Sequence, residues 1–261
     1  MTAQQVDNGL ILRVQRWSLW QLAGSGTDAT WLCADAEGIR SRTLDAPTLS
    51  DLPAMKRRRL SPLARVTFQT LGFCADTGAQ EPVVFSSTFG EIQRTQGMLE
   101  AIAASDPVSP TAFSHSVHNA IGGLWSQMHG ITAPMLALAP CDDSPVPALL
   151  EGAGLLQEGH YSAVNVVYAE ENCPGFYQPW YQGPPAPCAL ALRLVAGANA
   201  TVALRLNADS AARPPAPPSR QPAPVPGAIG SGIGALTALL QGERSRADIT
   251  ETGAGWRLER C

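Results

Sequence analysis

Two of the four histidines, His115 and His118, lie in the stretch Ser109-Pro110-Thr111-Ala112-Phe113-Ser114-His115-Ser116-Val117-His118-Asn119-Ala120. An imidazole titrates near neutral pH, so either ring could act as a general base beside a cysteine or serine. The same residues also fit a plain helix start, with Ser114 or Ser116 as N-cap and Asn119 bonding to backbone. No partner for the rings is visible in the sequence, and the helix start is the preferred reading. Cys141 is the second candidate, because it follows an apolar run and precedes a small-residue helix. A thiol on such a strand-to-helix turn could be activated by the helix N-terminus. Asp142 and Asp143 follow directly, however, and neighbouring carboxylates disfavour a thiolate. They fit better as charges complementing the helix dipole.

Other arrangements carry less. The sequence has no G-x-S-x-G elbow, no G-x-x-x-x-G-K-[ST] loop and no G-x-G-x-x-G after a strand. The Gly-rich segment 227–234 follows a proline run and reads as a hinge, not a phosphate cradle. Glu170-Glu171 could be a catalytic carboxylate pair, but a pair at a strand end reads more simply as solvated surface.

The elements that must position these residues can be read from periodicity. Leu10–Leu22 reads as a strand followed by a turn. Met55–Gly72 reads as one amphipathic helix, with Leu60, Leu63, Ala64, Thr67, Phe68 and Leu71 at three- and four-residue steps. Pro82–Ser87 reads as a buried strand and Phe89–Ala104 as a helix, with periodicity through Ile92, Met98, Leu99 and Ile102. Ser116–Met128 reads as a helix whose adjacent Gly122 and Gly123 suggest close approach by a neighbour. Pro134–Ala139, Ala163–Tyr168 and Ala189–Val195 read as strands, Pro147–Gly159 as a helix, Ile233–Leu240 as a short helix and Trp256–Leu258 as a last strand. This alternation predicts an α/β fold, a mixed sheet covered by helices. The expected organisation is a domain over 10–200, a Pro-rich linker over 211–227 and a short C-terminal tail over 228–261.

The 261 residues are 45% hydrophobic and only 15% charged, with a net charge of −4. Weakly acidic balance argues against nucleic acid or anionic membrane as partner, and the cluster Lys56-Arg57-Arg58-Arg59 is too short to reverse that. No apolar run is long enough to span a bilayer. The six cysteines are scattered without metal-ligand spacing, so reduced thiols, a cytoplasmic location and no metal or cofactor are expected.

Several segments together resemble a known family. Arg57–Arg65, Val84–Ser87, Gly90-Glu91, Arg94-Thr95 and above all Ser109–Trp125 resemble the β-ketoacyl-synthase-like N-terminal family. Its members look like truncated ketosynthases found with type II polyketide or fatty-acid-like systems, such as those making aryl polyenes. The resemblance spans roughly residues 10–195 and implies half of a thiolase-type fold. Gly130–Pro134 matches the lead-in to the ketosynthase catalytic cysteine, and counting on without a gap puts the nucleophile position at Asp142, one residue after Cys141. The family's two C-terminal histidine motifs have no counterpart here, the last histidine being His160. The resemblance therefore implies a relative without condensing activity, since a Claisen condensation needs a nucleophile and donors for the developing charge.

It further implies a chain-length-factor-like subunit that pairs with a catalytic β-ketoacyl synthase, served by an acyl carrier protein. The strand Ala163–Tyr168 would pair across the two-fold, and Phe113, His118, Asn119, Gly122, Trp125 and Cys141 would line the acyl tunnel. Two alternatives stay open: an acyltransferase or thioesterase using Cys141 with His118, and a carrier-protein docking module.

Overall fold

The computed structural model describes residues 9–22, 28–140, 144–179, 181, 183–208, 231–251 and 254–261. In chain order the strands and helices are β1 (Leu10–Leu22), β2 (Ala29–Asp35), β3 (Gly38–Leu44), α1 (Ala54–Arg57), α2 (Pro62–Cys74), β4 (Val83–Ser86), α3 (Ile92–Ala103), α4 (Pro110–Ser114), α5 (Ala120–His129), β5 (Met135–Leu138), α6 (Val146–Gln157), β6 (Ala163–Glu170), β7 (Cys188–Val195), β8 (Val202–Ala208), α7 (Ser231–Gln241), β9 (Arg246–Glu251) and β10 (Ala254–Arg260).

All ten strands belong to one sheet, ordered β5-β4-β6-β7-β1-β8-β10-β9, with the β2–β3 ribbon attached to β1. β4 runs parallel to β5 and β6, and the other pairings are antiparallel. β1 is one long strand with no turn: Leu10–Val14 pairs with β8, and Trp17–Leu22 pairs with β2. The sheet is mixed, as the alternation predicted.

The pleat sends alternate side chains of β6 and β7 into two separate cores. Val164, Val166, Tyr168, Leu190, Leu192 and Leu194 join the core that holds α6 and α7. Val167, Ala169, Ala189 and Ala191 join the core beneath α2 and α5. Small alanines on that second face let α2 lie close to β7.

The helix expected over Met55–Gly72 is broken in two. Ser61 caps α2 by accepting from Ala64 N at 2.9 Å, and Pro62 occupies the first turn. Serine followed by proline is a helix-start signal, which the unbroken apolar spacing obscured. Helix α3 falls within the span expected to be helical. Of its apolar stripe only Ile92 is buried, while Leu99 and Ile102 are exposed.

The segment expected to be a short tail is an integral part of the sheet. β10 lies between β8 and β9, and Leu236, Leu239, Leu240 and Leu258 are fully buried in the α6/α7 core. The Pro-rich linker predicted over 211–227 lies outside the described residues. None of the described helices is long and apolar enough to cross a membrane. Of the described cysteines, Cys33, Cys74, Cys173 and Cys188 are buried and Cys261 is exposed.

Candidate functional site

The carboxyl ends of the parallel strands β4, β5 and β6 gather most of the unusual polar residues. After β4 the chain turns through Ser87-Thr88-Phe89-Gly90-Glu91 into α3, and Gly90 holds a left-handed φ of 58°. Two carboxylates at the end of β6 clasp this turn. Glu170 accepts from the Thr88 amide and from Ser87 Oγ at 3.2 Å, and Ser87 Oγ accepts from the Gly90 amide at 2.8 Å. Glu171 accepts from the Gln93 amide at 2.9 Å.

The turn's own carboxylate, Glu91, accepts from Ser61 Oγ at 2.5 Å and from Arg94 Nε at 3.0 Å. Glu91, Glu170 and Glu171 are only 3%, 6% and 5% exposed. Burial pushes the Glu91 carboxyl up and pushes Glu171 up to about 7, with the Glu91 charge adding to the effect on Glu171. Reading Glu170-Glu171 as solvated surface is therefore corrected: the pair closes over the end of the sheet because it supplies acceptors to buried amides. Among the described residues no group of three His, Cys, Asp or Glu side chains is arranged to hold a metal ion.

His118 belongs to the same end. Its Nε2 lies 3.0 Å from Leu138 O, the last residue of β5, and its ring stands edge-on to Phe85 at 5.9 Å. A carbonyl only accepts, so Nε2 carries the proton and Nδ1 is the nitrogen left as an acceptor. Nδ1 faces Gly90, where an added Cβ would come within 3.0 Å of it. This half-buried imidazole thus sits between two strand ends, with the Gly90 backbone on the side of its other nitrogen. Its neighbours Ser114 and Ser116 do not cap a helix. Their hydroxyls donate back to Thr111 O and Phe113 O, and the cap of α4 is Ser109. Asn119 sits at the N-cap position of α5, but its side chain makes no capping bond.

The remaining tunnel candidates separate along α5, which runs back from this end toward the amino ends of β4 and β5. Phe113 is exposed on α4. Gly122 packs against the side chain of Met135, which a Cβ would meet at 2.5 Å, while nothing approaches Gly123. Trp125 is buried, edge-on to Phe68 at 5.1 Å and against His129 at 3.9 Å. It borders a cavity of about 230 Å³ at the opposite end of the sheet, together with Lys56, Asp76, Met128 and His129. Phe113, His118 and Asn119 thus share one end and Trp125 lies at the other. Cys141 and Asp142 lie outside the described residues. Sequence reasoning missed Ser87, Gly90 and Glu91 as a unit, although a Ser-Thr-x-Gly-Glu turn after an apolar strand was there to be read.

A mixed sheet with helices on both faces and polar turns at the carboxyl ends of its parallel strands defines a ketosynthase-like, thiolase-type fold. The family described as beta-ketoacyl synthase, N-terminal domain, matches residues 31–257, and the chain belongs to that family. Among solved structures, one similar fold is the ketosynthase ApeO in complex with its chain length factor ApeC from Xenorhabdus doucetiae. The match has a TM-score of 0.66 at 21% identity and covers 96% of this chain and 100% of that chain. Another is the ishigamide ketosynthase/chain length factor, with a TM-score of 0.54 at 17% identity, covering 77% of this chain and 68% of that one. A comparison with the curated proteins finds no match.

Proposed function

We propose that this chain is a non-catalytic, chain-length-factor-like subunit that pairs with a catalytic β-ketoacyl synthase. The pair would act in polyketide, aryl polyene or fatty-acid-like synthesis, on acyl units delivered by an acyl carrier protein. The observation that carries this reading is an open sheet edge beside an open apolar face. β5 ends the sheet, and all four of its residues, Met135 to Leu138, are half-exposed. Close by, Leu99, Ile102, Phe113 and Val117 are exposed on α3, α4 and the turn after them. An uncovered edge with apolar neighbours favours a partner over a free monomer. The occurrence of similar folds in ketosynthase–chain length factor complexes supports the same partner.

One implication of the resemblance is corrected. Ala163–Tyr168 cannot pair across a two-fold, because β6 lies between β4 and β7 with every residue buried. The pairing strand in this proposal is β5. Val83 N bonds Pro134 O and Ser87 N bonds Leu138 O, so the alternation of a parallel ladder turns the backbone groups of Met135 and Ala137 outward. Lack of a catalytic step is supported by Asp142 at the nucleophile position.

Co-expression with a ketosynthase, followed by native mass determination, tests the proposal. The expected result is a 1:1 heterodimer that condenses acyl units and stays active in Cys141→Ala. Ala137→Pro removes one outward N–H at a position where an edge strand tolerates proline, so the chain should fold but no longer pair. A stable monomer that ignores ketosynthases, or a chain acylated on Cys141, would overturn the reading.

A further inference from the structure

A cavity of about 250 Å³ opens between α2, strand β2 and the 48–51 loop, away from the sheet end and the edge strand described above. Its walls include the rings of Trp31 and Phe73, which stand edge to face with centroids 6.4 Å apart and planes at 87°. Gln69 is the unusual member of the wall, because its side chain is polar and the residue is only 9% exposed. Its Oε1 accepts from Thr48 N at 3.0 Å, from Leu49 N at 3.4 Å and from the Thr48 hydroxyl at 3.3 Å. Backbone amides only donate, so the oxygen must face them and the side-chain amide has one orientation. Among the described residues nothing accepts from Nε2, and its two N–H groups keep their bonding capacity at the cavity wall. A buried donor without an acceptor is costly, and native proteins seldom keep one without a use for it. Leu49, which Gln69 holds, has a φ of 44°, a conformation that a bulky residue keeps only where its surroundings enforce it. Gly72 also lines the cavity, and a Cβ there would meet nothing nearer than Trp125 Cη2 at 3.9 Å. Packing therefore does not require a glycine in this helix, and its effect is to leave the cavity wider.

We propose that this cavity binds a small neutral aromatic carboxamide, its ring against Trp31 and Phe73 and its carbonyl accepting from Gln69 Nε2. The size fits, since a cavity of about 150 Å³ takes benzene and this one has room for a ring with one polar substituent. The walls select the substituent. Gln69 offers donors, so the ligand must bring an acceptor, which an ammonium group lacks. Arg40 and Arg42 already lie over the Phe73 and Trp31 rings at 5.7 and 5.8 Å, which further opposes a cation. Asp51 lines the same cavity, and its carboxylate repels an anion while accepting from an N–H. A carboxamide brings an acceptor and a donor on one uncharged planar group. The site is independent of any pairing with a ketosynthase.

Titration of the full chain with benzamide, followed by calorimetry and by saturation-transfer NMR, tests the site. Benzamide should bind at one site, and benzoate, benzylammonium and toluene should each bind at least about tenfold more weakly. Gln69→Glu keeps oxygens for the amides of Thr48 and Leu49 but loses both N–H donors, and should weaken benzamide by a similar factor. Phe73→Ala removes a half-exposed ring from the wall and should also weaken it, and this variant decides the matter where Gln69→Glu fails to fold. The proposal is overturned by a wild-type chain that binds no benzamide, or by a charged analogue or toluene that binds as tightly. It is equally overturned by a folded Gln69→Glu or Phe73→Ala chain whose affinity for benzamide is unchanged.

Discussion

At the scale of the residue, the most demanding group is Arg193, whose guanidinium is buried on the α2 side of the sheet. It pairs with Glu81 and with the half-exposed Asp76, and Glu81 in turn accepts from Asn165 Nδ2 at 2.8 Å. Glu81→Gln removes one of the two carboxylates that compensate Arg193 and leaves the half-exposed Asp76 as its partner, so the destabilisation in urea titration should fall below the roughly 3–5 kcal/mol of a buried charge left wholly unpaired. Adding Arg193→Met should recover part of that loss, because removing both charges also removes the desolvation penalty. His129 gives a second prediction. Burial against Trp125 and Phe68 holds its imidazole below the ordinary 6.5, with the Lys56 charge contributing and Asp51 opposing. A depressed histidine favours folding above its unfolded value, and that contribution is lost as the pH falls below 6.5. Glu171 acts in the opposite direction over much of the same range, so the comparison must be between variants. His129→Phe preserves the ring contacts, and its unfolding free energy should fall less than the wild type's between pH 6.5 and pH 5.

At the scale of the element, two glycines distinguish helices that can move from helices that cannot. A Cβ at Gly152 in α6 would meet Val166 Cγ2 at 2.8 Å and Leu194 Cδ1 at 3.1 Å. Both belong to fully buried, stiff side chains, so Gly152→Ala should cost about 1–3 kcal/mol of stability. At Gly122 in α5 the obstacle is Met135, an unbranched side chain on the half-exposed edge strand. There the helix propensity gained, up to about 1 kcal/mol, offsets the displacement, and Gly122→Ala should leave the denaturation midpoint nearly unchanged. The same physics decides which elements were legible in the sequence. β4, β6, β7 and α6 are buried apolar segments, and composition alone exposes them. β3 is Gly-Ile-Arg-Ser-Arg-Thr-Leu, exposed along the outer edge, and offers no apolar signal. β8 does alternate, with Val202, Leu204 and Leu206 buried and the residues between them facing out, and a period-two reading could have found it. The clasp around Glu171 was not legible, because its partners are separated by 78 residues in sequence and meet only through the parallel pairing of β4 with β6.

For the molecule as a whole, the open question is whether residues beyond 227 complete the fold or decorate it. The strand order requires completion: β10 fills the place beside β8, and without it the edge of β8 is bare. The core requires it too. Ile233, Leu236, Leu239, Leu240 and Leu258 are buried in the same core as Leu204 and Leu206 of β8. Each such side chain contributes about 1.5–3 kcal/mol on burial, so the five together are comparable to the roughly 5–15 kcal/mol by which a typical domain is stable. A chain ending at residue 227 should therefore show no cooperative thermal transition by circular dichroism and should bind a dye that reports exposed apolar surface. A truncated chain that melted cooperatively at the full-length temperature would mean that α7, β9 and β10 are an appendage. The α6/α7 core would then have to be closed by α6 alone, and the burial of Leu204 would need another explanation.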